Sequence, residues 1–166
     1  MLLINTEIRE LPILYTPGQL MAVFGLSKQR WRTIRAALPP LDSGPGHAPC
    51  FSAGHFVAVG VAKVVTDQLG SPLSTLTPVA FGLFESCTNV PWFQLERSQI
   101  SIIPSERKVE LLATDAARGP KGLELLIALE PITRALRERL IERACWHRSS
   151  SWVSGSDQVP KLWTLT

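Results

Sequence analysis

Apolar residues recur at helical spacing from the start of the chain's first patterned stretch: Leu20, Val23 and Phe24 follow Thr16-Pro17-Gly18-Gln19, and Gly25 closes the run. Thr at the cap, Pro at the first helical position and Gln three residues after the cap together start a helix, because the Gln amide reaches back to the cap N–H. Ser27 caps a second helix, predicted to run to about Leu38, where Pro39-Pro40 forbid continuation. Only a few residues separate the two, which predicts a helix-turn-helix. Ser43-Gly44-Pro45-Gly46 then reads as a turn or loop. Ser52 caps a third helix whose apolar stripe is Phe56, Val59, Gly60, the stem of Lys63 and Val64, ended by Gly70. Ser71-Pro72 open a fourth, containing Leu73, Leu76, Val79, Ala80 and Leu83.

After Cys87 the period changes. Trp92 to Leu95 and Gln99 to Ile103 are predicted strands, and a Pro104-Ser105-Glu106-Arg107 turn leads to a third at Val109 to Ala113. Leu123 to Leu129 suits a buried strand or a helix by periodicity alone. Pro131 selects the strand, since a helix crossing it would lose a hydrogen bond and clash with its ring. Glu130-Pro131 then begin a final helix with Ile132, Leu136, Leu140 and Ile141 facing inward. The expected fold is α+β: about four N-terminal helices forming a winged helix-turn-helix, then a small antiparallel sheet and a C-terminal helix. The expected division is 1–88 as the helical DNA-binding portion, 89–148 as a meander plus helix for dimerisation or partner binding, and 149–166 as a loose polar tail.

Charge changes this picture locally. The 166 residues carry 17 Lys+Arg and 14 Asp+Glu, a net charge of +3, far from a polycation that coats nucleic acid by bulk attraction. Yet Lys28, Arg30, Arg32 and Arg35 fall within eight positions, and no acid interrupts Ser27 to Leu41. Apolar residues at 45% exclude a disordered polar chain. The apolar run Phe56 to Val65 is too short to span a bilayer of about 20 helical residues and contains Lys63. Residues 1–10 lack the marks of a signal peptide, so a cytoplasmic protein without membrane contact is expected. An odd count of three scattered cysteines argues against a disulfide framework.

The stretch Pro17 to Leu76 resembles the MerR-type winged helix-turn-helix DNA-binding family. Gly18-Gln19-Leu20 through Gly25-Leu26-Ser27 are similar to that family's first helix and turn. Arg32 falls where the family has its recognition-helix arginine, and Phe51-Ser52, Phe56, Leu69-Gly70 and Leu76 are similar to its second helical pair. The chain departs from the pattern at Met21, where a small residue is usual, and at Thr33-Ile34, where tyrosine is usual. Gly46 to Cys50 lacks the wing arginine, which leaves wing contacts to His47 and backbone N–H groups. The family's long dimerising helix is replaced by the strand meander.

The resemblance implies that the helix Ser27–Leu38 reads the DNA major groove with its N-terminal residues at base edges. Lys28, Gln29 and Arg30 occupy that first turn, beside a helix N-terminus that favours phosphate. Arg grips guanine and Gln adenine bidentately, whereas Arg32 and Arg35 are expected on flanking phosphates. With Thr16 and His47, these form the candidate DNA-contacting set. Taken alone, four charges on a helix read as a solvated face; the helix-turn-helix frame turns them toward double-stranded DNA. Trp31, Trp92 and Trp146 are read as packing residues, and Trp152 and Trp163 lie in the predicted tail.

Cys50, Cys87 and Cys145 with His47, His55 and His147 show no C-x-x-C or H-x₃-H spacing, so buried thiols are expected and no metal site. No phosphate-binding glycine loop, H-E-x-x-H or G-x-S-x-G occurs, so neither enzyme activity nor a cofactor is expected. The leading expectation is a sequence-specific transcriptional regulator acting as a homodimer. The alternatives are a phage-type or architectural DNA factor of excisionase or packaging type, and a protein-interaction module that offers the helix-turn-helix surface to an acidic partner.

Overall fold

The computed structural model describes residues 13–42, 50–114 and 124–149, the last eight by their backbone. Helix α1 (Pro17–Phe24) begins on a reciprocal cap: Gln19 N–H donates to Thr16 Oγ1 at 3.2 Å, and Thr16 N–H donates to Gln19 Oε1 at 2.8 Å. Gly25 ends it in the left-handed region, with φ 63°, which a residue bearing Cβ adopts only with strain. Ser27 Oγ accepts from Arg30 N–H at 3.1 Å and starts helix α2 (Lys28–Ala37), which stops before Pro39 as expected.

Helix α3 (Ala53–Asp67) departs from the expected one-sided stripe. Gly54, every residue from Phe56 to Ala62, and Val65 are buried, because neighbours pack on more than one side of it. A methyl group on Gly54 would lie 2.3 Å from the Cys87 carbonyl oxygen, and one on Gly60 would lie 2.5 Å from Ile132 Cγ2. The two glycines let a second and a third helix approach α3 closely. The second is α4 (Ala80–Thr88), and here the expected start at Ser71 is corrected. Leu73–Thr75 and Thr77–Val79 form separate 3₁₀ turns, since Pro78 lacks an N–H and disfavours a helical residue before it. Thr77 Oγ1 instead donates to the Ala37 carbonyl at 2.8 Å, satisfying the C-terminus of α2.

Trp92 to Leu95 is also corrected, from strand to the short helix α5 (Trp92–Leu95). Pro91 precedes it in extended conformation and its carbonyl accepts from Gln94 and Leu95 N–H. Trp92 Nε1 donates to Glu96 Oε1 at 2.8 Å, an i,i+4 contact that a strand could not make. Strands β1 (Ser98–Ile103), β2 (Lys108–Ala113) and β3 (Leu125–Ala128) follow, and the last confirms the reading from Pro131. The sheet is antiparallel in the order β2-β1-β3, with Ser98 opposite Ala113 on one side and Gln99 opposite Ala128 on the other.

Helix α6 (Glu130–Ser149) is the third helix against α3, through Ile132. Leu136 is buried and Ile132 and Leu140 pack on the core, but Ile141 is exposed. Residues 132, 136 and 140 line one row, and residue 141 turns about 100° off it. Arg139 Nη1 donates to the Val23 carbonyl at 2.9 Å, and Arg137 pairs with Glu96, tying α6 to α1 and α5. A single buried cluster extends from Leu20 to Leu136, across the boundary expected near residue 88. The fold is α+β: six helices and a small antiparallel sheet among the described residues. Gly46 to Pro49 of the expected wing and residues 150–166 of the expected tail lie outside them, whereas Ser149, expected in the tail, ends α6; next to Cys50, Tyr15 N–H donates to the Phe51 carbonyl at 2.7 Å.

Candidate nucleic-acid interface

The two faces of α2 follow from its period. Trp31 is buried, Ile34 packs on the core, and Leu38 just beyond the helix is fully buried, an i, i+3, i+7 row. The Trp31 ring meets Phe51 edge-on, with centroids 5.9 Å apart, which seats the helix on the segment leading into α3. On the opposite face Lys28, Arg32 and Ala36 form an exposed i, i+4, i+8 row, with Gln29 and Thr33 exposed beside it. Thr33 Oγ1 donates to the Gln29 carbonyl at 3.2 Å and so faces its own helix. No acid stands in the first turn, and the N–H of Arg30 is already used by Ser27.

The four basic residues are thereby sorted into two pairs. Arg30 turns sideways to α3, where its Nη2 lies 3.3 Å from Asp67 Oδ1. Lys63 also pairs with Asp67; chiefly this hydrogen bond holds the Asp67 carboxyl below the usual carboxylate range. Arg35, half-buried, pairs with Asp42. Lys28 and Arg32 have no ion-pair partner among the described residues. The open face is thus centred on Arg32, which the first-turn reading had set on phosphate, while Arg30 stands at its flank. Between α2 and α3 lies a groove of about 500 Å³, floored by Phe24, Ile34, Val59 and Ala62 and edged by Arg30 and Lys63.

Thr16 is at the far end of α1, whose eight residues span about 12 Å at 1.5 Å per residue. Its oxygen is occupied by Gln19 N–H, which leaves its O–H as a donor. His47 lies outside the described residues. Asp67 and Asp42 are the site residues that sequence reasoning missed. The Lys63-x₃-Asp67 spacing signals an ion pair on one helix, but nothing local joins it to Arg30, 37 positions away.

Other reactive groups are placed for structure. Cys87 is buried, and desolvation pushes its thiol up to about 12, well outside the range of a nucleophilic thiolate. His55 Nδ1 accepts from Ser52 N–H at 3.1 Å while its ring packs edge-on against Phe51 and Phe84. Burial lowers its pKa below the ordinary histidine value. Among the described residues no three His, Cys, Asp or Glu side chains gather as metal ligands; Cys145 and His147 side chains lie outside that set. No described helix is long and apolar enough to cross a membrane. No family model, curated protein or solved structure matches the chain, so the functional reading rests on the geometry of this face.

Proposed function

We propose that the chain binds double-stranded DNA sequence-specifically and regulates transcription, laying α2 in the major groove. The observation that carries the reading is the exposed row Lys28–Arg32–Ala36, flanked by Gln29 and Thr33, on a helix whose other face is anchored by Trp31. A major groove about 12 Å wide admits such a helix. Arg32, central and unpaired, is the residue for a guanine edge, and Gln29 suits adenine; a good bidentate pair discriminates by about 1–3 kcal/mol. The Ala36 methyl and the Thr33 side chain are compatible with a thymine methyl. Arg30 and Arg35 at the flanks, with Lys28 at the helix N-terminus, suit phosphates, which fix register without reading sequence. One head covers few base pairs, so the active species is a homodimer on two half-sites, in the cytoplasm with the DNA, and it needs no cofactor.

Selection of bound duplexes from a randomised pool by the full chain, followed by gel shifts at several salt concentrations, tests the reading. Arg32→Ala is expected to weaken the best site by about 1–3 kcal/mol and relax one base position. Arg30→Ala is expected to weaken all sequences alike and flatten the salt dependence by about one charge. Absence of salt-sensitive binding, or capture of an acidic protein in place of DNA by the same face, would overturn it.

A further inference from the structure

The two outer strands of the sheet are built differently. β2 carries Lys108 and Glu110, ion-paired at 2.7 Å on one face of the strand. Charges of this kind are how natural sheets discourage another chain from adding to an edge. β3 reads Leu125-Leu126-Ile127-Ala128, with no charge, proline or bulge. Leu129 N–H donates to the Ser98 carbonyl at 3.0 Å. Since bonded and outward residues alternate along an antiparallel strand, Leu125 and Ile127 bond to β1, and Leu126 and Ala128 turn their N–H and C=O groups outward. Among the described residues nothing pairs with them.

Beside this edge lies a groove of about 550 Å³ between β3, the end of α3 and the start of α6, with Val64, Leu69, Leu126, Ile132 and Leu136 in its walls. Leu69 and Leu126, on that groove, are 51% and 54% exposed, an apolar pair beside backbone groups that no described residue pairs with. A strand that completes this edge must be short, extended, apolar and uncharged. The β3 strand of a second copy has all four properties and is present wherever the first is.

We infer that two copies join through β3 about a two-fold axis, making one continuous six-stranded sheet. Two registers set Leu126 opposite an outward residue of the other β3. Setting Leu126 opposite Ala128 brings Glu124 towards Glu130 of the other copy, and facing like charges are destabilising. Setting Leu126 opposite Leu126 places Glu124 opposite Ala128 and avoids that repulsion, so this register is the one assigned. The seam deepens the DNA-binding reading by supplying its dimer, but its test involves no DNA, so the two fail separately.

The test is sedimentation velocity of the full chain over a wide micromolar dilution series. A monomer–dimer equilibrium is expected. Ala128→Pro removes only an outward N–H, a place where edge strands tolerate proline, and Leu126→Lys sets two lysines face to face on the axis. Each is expected to raise the dimer dissociation constant at least about tenfold, equivalent to about 1.4 kcal/mol, with an unchanged helical circular dichroism spectrum. Leu126→Cys reports register independently: a bonded antiparallel pair has Cα atoms about 5.5 Å apart, within disulfide range. Mild oxidation is then expected to link two chains, whereas Lys108→Cys on the other edge, and the wild-type cysteines, are not. A chain monomeric at every concentration, a dimer indifferent to both edge substitutions, or stable 1:1 pairing with a different protein through this edge would overturn the inference.

Discussion

Helix α3 is buried on nearly every side from Gly54 to Val65, whereas α2 buries only Trp31 of its ten residues. The first is fixed by contacts with α4 and α6 so close that glycine is required where they cross. The second rests on one aromatic anchor above a groove of about 500 Å³ and shows its charges to solvent. Both helices nevertheless begin on a serine cap, Ser27 for α2 and Ser52 for α3, and His55 accepts the α3 cap's N–H as Gln19 does for α1. Position in the core, more than local design, therefore separates a helix that holds the fold together from one free to meet a ligand.

Substitutions that load or unload these helices test the contrast. The largest effect is expected from Phe56→Ala in α3: removing a fully buried ring costs about 3–5 kcal/mol, measured as a fall in the urea unfolding midpoint. Lys28→Ala and Arg32→Ala on the open face of α2 are expected within about 0.5 kcal/mol of wild type, while DNA binding falls. Equal losses in both helices would erase the distinction. Next comes Gly54→Ala, expected to cost about 1–3 kcal/mol by overpacking, because the added carbon meets the backbone of Cys87 and Thr88, which cannot swing aside. Gly60→Ala meets the movable Ile132 side chain and is expected to cost less.

A third prediction sharpens the comparison of the caps through pH. The folded state lowers the pKa of His55 from 6.5, so it favours the neutral ring that accepts from Ser52. Stability from this group is fully present above about pH 6.5 and is lost as pH falls towards the lowered folded value. Urea titrations at stepped pH should show that decline, and His55→Gln, which copies the Gln19 cap of α1, should remove it. If wild type and variant decline alike, the cap is not the titrating element. A stability effect smaller than those of the core substitutions is expected from Asp67→Asn, at most about 1 kcal/mol for an exposed pair. Its consequence lies in binding: with Arg30 released from its partner, DNA affinity should rise in gel shifts, most at low salt. Unchanged affinity would mean that Arg30 does not reach phosphate.

Local signals were legible and long-range ones were not. Thr16 and Gln19, Ser27, Gly25 and Pro39 act within four residues of themselves, so α1, the turn after it and α2 follow from spacing alone. Pro131 correctly made Leu125–Ala128 a strand. Where an available local cue went unused, the reading failed. The apolar look of Trp92 to Leu95 outweighed Pro91 and the Trp92-x₃-Glu96 pair. The apolar spacing from Leu73 to Leu83 likewise outweighed Pro78. The all-round burial of α3 was hidden because a helical stripe says which face is apolar, and not how many neighbours arrive.

By itself, then, the sequence determined where α1 and α2 begin and end, that Trp31 packs inward, and that positive charge gathers between Lys28 and Arg35. These are consequences of bonds and periodicities that close within a turn or two. Only the tertiary structure decided that Arg30 and Arg35 are met by Asp67 and Asp42 while Lys28 and Arg32 find no ion-pair partner among the described residues, and that β3 lies at an edge of the sheet those residues form. Those outcomes depend on which distant segments the buried core brings together, and hydrophobic burial, being non-directional, leaves no short-range mark of its partners in the chain.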